Sequence, residues 1–177
     1  METLLWNCRR ITLDDVPALL EWYNDRALHE VANSRPFEPY TLDELVAYWK
    51  RKLSRDHARY FAIEVDGRLV GRTGLKETPM GGDIVEYSIL IGDRSLHARG
   101  LGTAVTKRML DEAFADPKVQ VVRLYVRRDN AKALRCYEKS GYRSVHTFTQ
   151  NGVPMEMMQV DRRDVRDALV EERMGDV

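Results

Sequence analysis

His97-Ala98-Arg99-Gly100-Leu101-Gly102-Thr103 brings together the residue types that a bulky anion needs. Gly100 and Gly102 have no Cβ, so main chain there can approach a ligand closely. The segment follows a strand-like run that ends near Ile91. It opens a run whose apolar residues, Leu101, Ala104, Val105, Met109, Ala113 and Phe114, recur at helical spacing. A helix starting at Gly100 aims its unpaired N–H groups, with a partial positive charge of about half a unit, at one spot. Arg99 adds a full charge, and the set suits a pyrophosphate.

Three pyrophosphate-binding patterns compete for this segment. The Walker loop requires Gly-Lys-Ser/Thr at its end, whereas Gly102 is followed by Thr103-Ala104. The dinucleotide fingerprint requires a third glycine three residues after the second, where Val105 stands, and it belongs on the first strand of a βαβ unit. The third pattern fits. The segment resembles motif A of the Gcn5-related N-acetyltransferases, Gln/Arg-x-x-Gly-x-Gly/Ala, with His97 in place of the usual Gln or Arg. A second segment, Asn130-Ala131-Lys132-Ala133-Leu134-Arg135-Cys136-Tyr137-Glu138-Lys139-Ser140-Gly141-Tyr142, resembles motif B of the same family, Asn-x-x-Ala-x-x-x-Tyr-x-x-x-Gly-Phe/Tyr. It follows the apolar run Val121 to Val126, and in order and spacing the two segments match the family over roughly a third of the chain.

The resemblance implies acetyl-CoA as co-substrate and acetyl transfer to a primary amine by direct attack in a ternary complex, with no metal. It implies that His97, Arg99, Gly100, Leu101, Gly102 and Thr103 hold the pyrophosphate. Asn130, Lys132 and Ala133 would border the pantetheine. Backbone N–H near Ile89, Leu90 and Ile91, where the family strand bulges, would meet the oxyanion of the thioester carbonyl. Tyr137 matches the motif-B tyrosine that faces the coenzyme A sulfur, so it is the expected acid for a thiolate whose free pKa is roughly 8.5. Glu86 is the expected base, directly or through a water. It lies on a strand that alternates Ile84, Glu86, Ser88 and Leu90 on one side with Val85, Tyr87, Ile89 and Ile91 on the other. A carboxylate on that mainly apolar side is suited to taking a proton. A core tyrosine and a solvated edge carboxylate are the plainer alternatives.

Trp22-Tyr23-Asn24-Asp25 and the ending Asn151-Gly152-Val153-Pro154-Met155-Glu156-Met157-Met158 resemble a branch containing ribosomal-protein N-terminal, spermidine and amino-sugar acetyltransferases. Asn24, Glu30, Glu38 and Ser88 are the expected substrate contacts, with Asp25 and Asp83 as further loop carboxylates for a cationic amine. A small amine, polyamine or amino sugar is the favoured acceptor, ahead of a peptide N-terminus. A non-catalytic acyl-CoA-binding module is the rival reading. A nucleic-acid-binding scaffold has only Arg123, Arg127, Arg128, Lys132 and Arg135 behind it.

The elements that must position these residues read as β-α-α-β-β-β-α-β-α-β-β. Thr41-Leu42-Asp43-Glu44 is a capping box, and Asp66-Gly67 and Asn151-Gly152 are two-residue hairpin turns. Residues 25–40 read as loop with a short helix at most. The resemblance implies a mixed α/β fold: a mostly antiparallel twisted sheet of about six or seven strands with a splayed central pair and helices on both faces. The 177 residues read as one domain. Residues 1–58 form its acceptor side, 59–161 the sheet and cofactor site, and 162–177 a terminal helix or tail.

Lys plus Arg equals Asp plus Glu at 28 each, so net charge gives no support to a nucleic-acid partner. No apolar run reaches the ~18–20 residues of a membrane span, and the first residues lack the pattern of a secretory signal. Two cysteines, Cys8 and Cys136, lack metal-ligand spacing, and the four histidines are scattered. A cytoplasmic location is expected, and dimers are common in the resembling branch.

Overall fold

The computed structural model describes residues 4–166. A seven-stranded sheet runs in the order β1-β2-β3-β4-β5-β7-β6. Its strands are β1 (Trp6–Arg10), β2 (Ala58–Val65), β3 (Arg68–Thr78), β4 (Gly81–Ile91), β5 (Val121–Arg127), β6 (Arg143–Gln150) and β7 (Val153–Asp161). Every neighbouring pair is antiparallel except β4–β5, which is parallel. The helices are α1 (Val16–Tyr23), α2 (Arg26–Ala32), α3 (Leu42–Leu53), α4 (Leu101–Phe114) and α5 (Ala131–Lys139).

Local chemistry explains the connections. Asp66 and Gly67 take φ of 51° and 73°, and Asn151 and Gly152 take 51° and 75°, the paired left-handed residues of tight hairpins. The Thr41 capping box closes in both directions: the Glu44 amide donates to Thr41 Oγ1 at 3.2 Å, and the Thr41 amide donates to Glu44 Oε2 at 2.8 Å. Between α1 and α3 the chain is more regular than a loop. Asp25 accepts from the Leu28 amide at 3.0 Å and starts α2, a cap whose signal is masked in sequence by the short length of the helix.

The sheet buries both faces. On one lie α4 and α5 over Val85, Tyr87, Val122, Leu124 and Val126. On the other, Val16, Leu19, Leu45 and Trp49 of α1 and α3 cover Ala58, Tyr60 and Ala62 of β2. The expected alternation of β4 holds, with Val85 and Tyr87 buried under α4 and α5 and Glu86 half-buried on the α1–α3 side. Residues 162–166 are helical; the remainder of the expected terminal helix or tail lies outside the described residues.

The central pair is splayed. β4 and β5 are in register only at Ile84↔Val121, Val85↔Val122 and Glu86↔Arg123. Beyond these, Tyr87–Ile91 and Leu124–Arg127 continue as strands held only by their outer neighbours, β3 and β7. Their inner edges leave main-chain groups free to pair with something else.

Candidate active site

The mouth of this gap is closed by the start of α4. Asp93 caps a short 3-10 turn, Arg94–Leu96, and the chain then passes Ala98 at φ 60° and reaches Gly100 at φ 83°. Gly100 is the N-cap of α4 and supplies no side chain to the helix's first N–H groups. A Cβ built on Gly100 would meet nothing within 4 Å, so the space before the helix is open. Arg99 is exposed beside it. Such an arrangement suits an anion held by backbone donors.

The two glycines do different work. A Cβ on Gly102 would sit 3.4 Å from Cys136 Sγ and 3.7 Å from Ile91 Cδ1, so Gly102 lets α4 lie close to α5. Thr103 Oγ1 donates to Cys136 Sγ at 3.5 Å in the same seam. Leu101 is buried in the core. His97 Nε2 pairs with the Ile91 carbonyl at 2.8 Å, so that nitrogen ties the loop to the end of β4 rather than pointing at a ligand.

Ile89, Leu90 and Ile91 line the β4 edge, half-buried. The bulge expected there is absent: the β3–β4 ladder steps without a shift from Gly71↔Ile91 to Glu77↔Val85, and its one irregularity falls at Glu77/Thr78. The gap arises from β4 and β5 diverging, not from a kink in β4.

Tyr137 stands on α5, whose start is fixed by Asn130 accepting from the Ala133 amide at 3.2 Å. The Asn130 amide also donates to the Val31 carbonyl at 3.2 Å, tying α5 to α2. Lys132 is exposed, and Ala133 packs on the core. The Tyr137 ring meets Tyr87 and Tyr142 edge-on, at centroid distances of 6.5 and 5.9 Å. Burial raises its phenol well above the ordinary value, Cys136 adds to this, and Arg72 opposes it. The Tyr87 hydroxyl is engaged with Thr106 Oγ1 at 3.0 Å, whereas no partner holds that of Tyr137 among the described residues.

Glu86 is half-buried and faces Lys76 Nζ at 3.6 Å. Its side of the sheet is not apolar. The register places Arg72, Gly74 and Lys76 of β3 opposite Leu90, Ser88 and Glu86. Arg72 Nη1 donates to Ser88 Oγ at 3.1 Å and Nε to the Tyr23 hydroxyl at 3.1 Å. Above them, Lys52 Nζ donates to the Tyr48 hydroxyl at 3.1 Å and lies 4.5 Å from the Tyr60 ring centroid. Gly74 makes room for that ring: a Cβ there would stand 2.5 Å from Tyr60 Cδ1.

The loop carboxylates do not converge on this face. Asp25 pairs with Arg94 at 2.6 Å, and Glu30 with Arg26 at 3.3 Å. Glu38 lines a shallow groove with Tyr40, Glu44 and Arg51, and Asp83 is exposed at the start of β4. Asn24 spends both ends of its amide on the Tyr40 main chain, donating at 2.9 Å and accepting at 2.7 Å. Of the expected substrate contacts only Ser88 stands beside Glu86. Lys52, Arg72 and Tyr60 were missed; strand alternation of Arg72, Gly74 and Lys76 was the available signal for the β3 members.

Comparison with known proteins agrees with this architecture. The chain is 24% identical over 165 residues, 88% of this chain and 82% of the relative, to an aminoglycoside N(6')-acetyltransferase type 1 of Klebsiella pneumoniae. It is 26% identical over 146 residues, 75% of this chain and 77% of the relative, to the spermidine N(1)-acetyltransferase of Escherichia coli K12. Among solved structures, aminoglycoside acetyltransferase AAC(6')-Ib in complex with coenzyme A superposes with a TM-score of 0.76 at 23% identity, covering 90% of this chain and 96% of that one. The spermidine N-acetyltransferase of Vibrio cholerae in complex with coenzyme A and spermine gives 0.77 at 22%, covering 89% and 96%. The family model for the GNAT acetyltransferase domain matches residues 7–143, so the chain belongs to the GNAT acetyltransferases, enzymes that take acetyl-CoA as co-substrate.

Proposed function

We propose that this enzyme acetylates the primary amine of a small molecule, polyamine or amino sugar by direct attack within a ternary complex, and that Glu86 and Tyr137 handle the two protons. The observation that carries the reading is the fork: β4 and β5 part after Glu86↔Arg123, and the open cradle at Gly100 lies at the wide end. A thioester there supplies an activated acyl group. Arg99 and the N–H groups after Gly100 would hold its diphosphate, and the free edges of Ile89–Ile91 would pair with its amide arm. Lys132, Ala133 and Asn130 flank the opposite wall.

An amine resembling lysine, with a pKa near ~10.4, must lose a proton before it can attack. Glu86 accepts that proton, directly or through one water. Lys76 Nζ stands 3.6 Å from that carboxylate. As the new C–N bond forms and the C–S bond breaks, the leaving sulfur takes a proton from the Tyr137 hydroxyl. Burial keeps that phenol protonated across the physiological range. Both thiols among the described residues, Cys8 and Cys136, are free, in keeping with a cytoplasmic enzyme. Cys136 is a packing residue between α4 and α5.

Thiol release from acetyl-CoA, followed across polyamines, aminoglycosides, amino acids, amino sugars and peptides, tests the reading. Turnover with at least one amine is expected. Tight coenzyme A binding without turnover on any amine would establish a binding module instead.

A further inference from the structure

The acceptor face has the wrong charge for a simple polycation. Arg72 has no carboxylate partner among the described residues. Its Nε and Nη1 rest on the Tyr23 and Ser88 hydroxyls, its Cζ lies 5.8 Å from the Tyr23 ring centroid, and Nη2 is left open. Lys52 has no ion pair among the described residues either. Its ammonium sits among the rings of Tyr48, Trp49 and Tyr60, at 4.9, 4.9 and 4.5 Å, with one hydrogen bond to spare the cost of burial. Lys76 completes the group, and among the described residues Glu86 is the one carboxylate that pairs with it. Burial first, and then the charges of Arg72, Lys76 and Arg55, push the Lys52 ammonium down to about 7, with Glu86 opposing. Uncompensated cations on a half-buried face are costly unless an anion joins them. Of the loop acids that would suit a polyamine, Asp25 and Glu30 are spent elsewhere, on Arg94 and Arg26.

We propose that the acceptor carries an anionic group, a carboxylate or a phosphate, a short spacer from its amine, and that Arg72 Nη2 and Lys52 Nζ bind it. The assignment rests on the acetyl-transfer reading of the same cleft and narrows it. Arg72, resting on Ser88 Oγ, fixes the anion two strand positions along β4 from Glu86, on the same face, so the amine end of the molecule points down the row toward the base. The guanidinium fork suits either oxyanion geometry. The same cations repel acceptors that are positive throughout. On this proposal the amino sugar survives as an acceptor when it bears a phosphate or a carboxylate.

Matched pairs that differ only in the anion test this: lysine against cadaverine for carboxylate, and glucosamine 6-phosphate against glucosamine for phosphate, with spermidine and kanamycin as cationic arms. The enzyme should prefer an anionic member by roughly tenfold or more in kcat/KM. Which pair shows the preference identifies the source. Arg72→Gln should shrink that ratio chiefly through KM. A best substrate among cadaverine, spermidine or kanamycin, with a ratio unmoved by Arg72→Gln, would overturn the anion site while leaving acetyl transfer intact.

Silence from the whole panel is covered by a second readout. With 13C-labelled lysine, the Lys52 signal, identified by its loss in Lys52→Met, should titrate at higher pH when malonate or inorganic phosphate is added. Arg72→Gln should weaken the effect. No shift at saturating concentrations of either anion overturns the proposal. Calorimetry with coenzyme A reports separately on the cofactor half of the cleft.

Discussion

Glu86 and Arg123 are the last cross-strand partners that β4 and β5 share. Everything chemical in the cleft is arranged about that crotch. Toward the α1–α3 side, Glu86 meets Lys76, and Ser88 meets Arg72. Toward the α4–α5 side, Tyr87 is buried against Tyr137. On the proposed mechanism the sheet therefore separates the place where an amine loses its proton from the place where a thiolate gains one, and the fork joins the two.

Replacing Glu86 with Gln should lower kcat by about 10²–10⁴-fold if the carboxylate is the base, with coenzyme A affinity unchanged. The fold should survive, because the Lys76 contact is a 3.6 Å pair between side chains about one-third exposed, of a kind worth about 0–1 kcal/mol. Steady-state kinetics beside a calorimetric titration check both halves. Parental kcat in the Gln variant would remove Glu86 from the mechanism.

Tyr137→Phe deletes a hydroxyl that no described residue holds and leaves the ring contacts with Tyr87 and Tyr142 in place. Stability should therefore barely move. The rate should fall by about 10²-fold or more, the usual scale for loss of a general acid, while acetyl-CoA binds as before. A poorer leaving thiol needs the acid more, so acyl carriers of higher thiol pKa should widen the gap between parent and variant. Equal rates would exclude the acid role.

At Gly100 strain and access must be separated. Any side chain there is forced to φ 83°, a cost of roughly 1–2 kcal/mol for a non-glycine residue. Gly152 has nearly the same φ, 75°, and the same open surroundings, far along the chain in the β6–β7 turn. Gly100→Ala and Gly152→Ala should therefore lose comparable thermal stability, whereas only the Gly100 variant should lose coenzyme A affinity, and Gly100→Val more still. Normal affinity in Gly100→Val, measured by calorimetry, would move the diphosphate away from α4.

Much of this was written locally. The Gly100 turn, the Asn130 cap, the Thr41 box and both hairpin turns are decided by residues within four positions of one another, and the chain alone displays them. Alternation likewise sorts Glu86 from Tyr87. What escaped was non-local. Trp22 lies across Gly92, where a Cβ would come within 1.9 Å of the indole, and Tyr60 lies across Gly74; neither pairing has a signature until β2, β3 and β4 are set in register. The same holds for Arg72, which is one arginine among many until the sheet puts Ser88 opposite Gly74 and Tyr23 above. Asn24 and Asp25 read as free because their partners, Tyr40 and Arg94, are chosen only by the folded chain, whereas Glu30 meets Arg26 one helical turn away once α2 forms.

Lys52 offers a stability test that needs no substrate. Its ammonium is lowered from 10.5 to about 7 by burial first, then by Arg72, Lys76 and Arg55, with Glu86 opposing. The Tyr48 and Tyr60 rings complete its surroundings. Between those two values the unfolded chain binds a proton at Lys52 that the native chain has released, so this group makes stability rise with pH across that window. Above the unfolded value the contribution is complete, and it is lost as pH falls through about 7. Lys52→Met keeps most of the aliphatic stem among the rings and deletes the titration. Urea midpoints of parent and variant, taken in phosphate-free buffer at about pH 6 and about pH 9.5, should therefore converge on one another differently at the two ends: the parent gains on the variant as pH rises. A difference that stays flat, or moves the other way, would mean that Lys52 is solvated like an ordinary surface lysine, and the charge imbalance of the acceptor face would lose its sharpest sign.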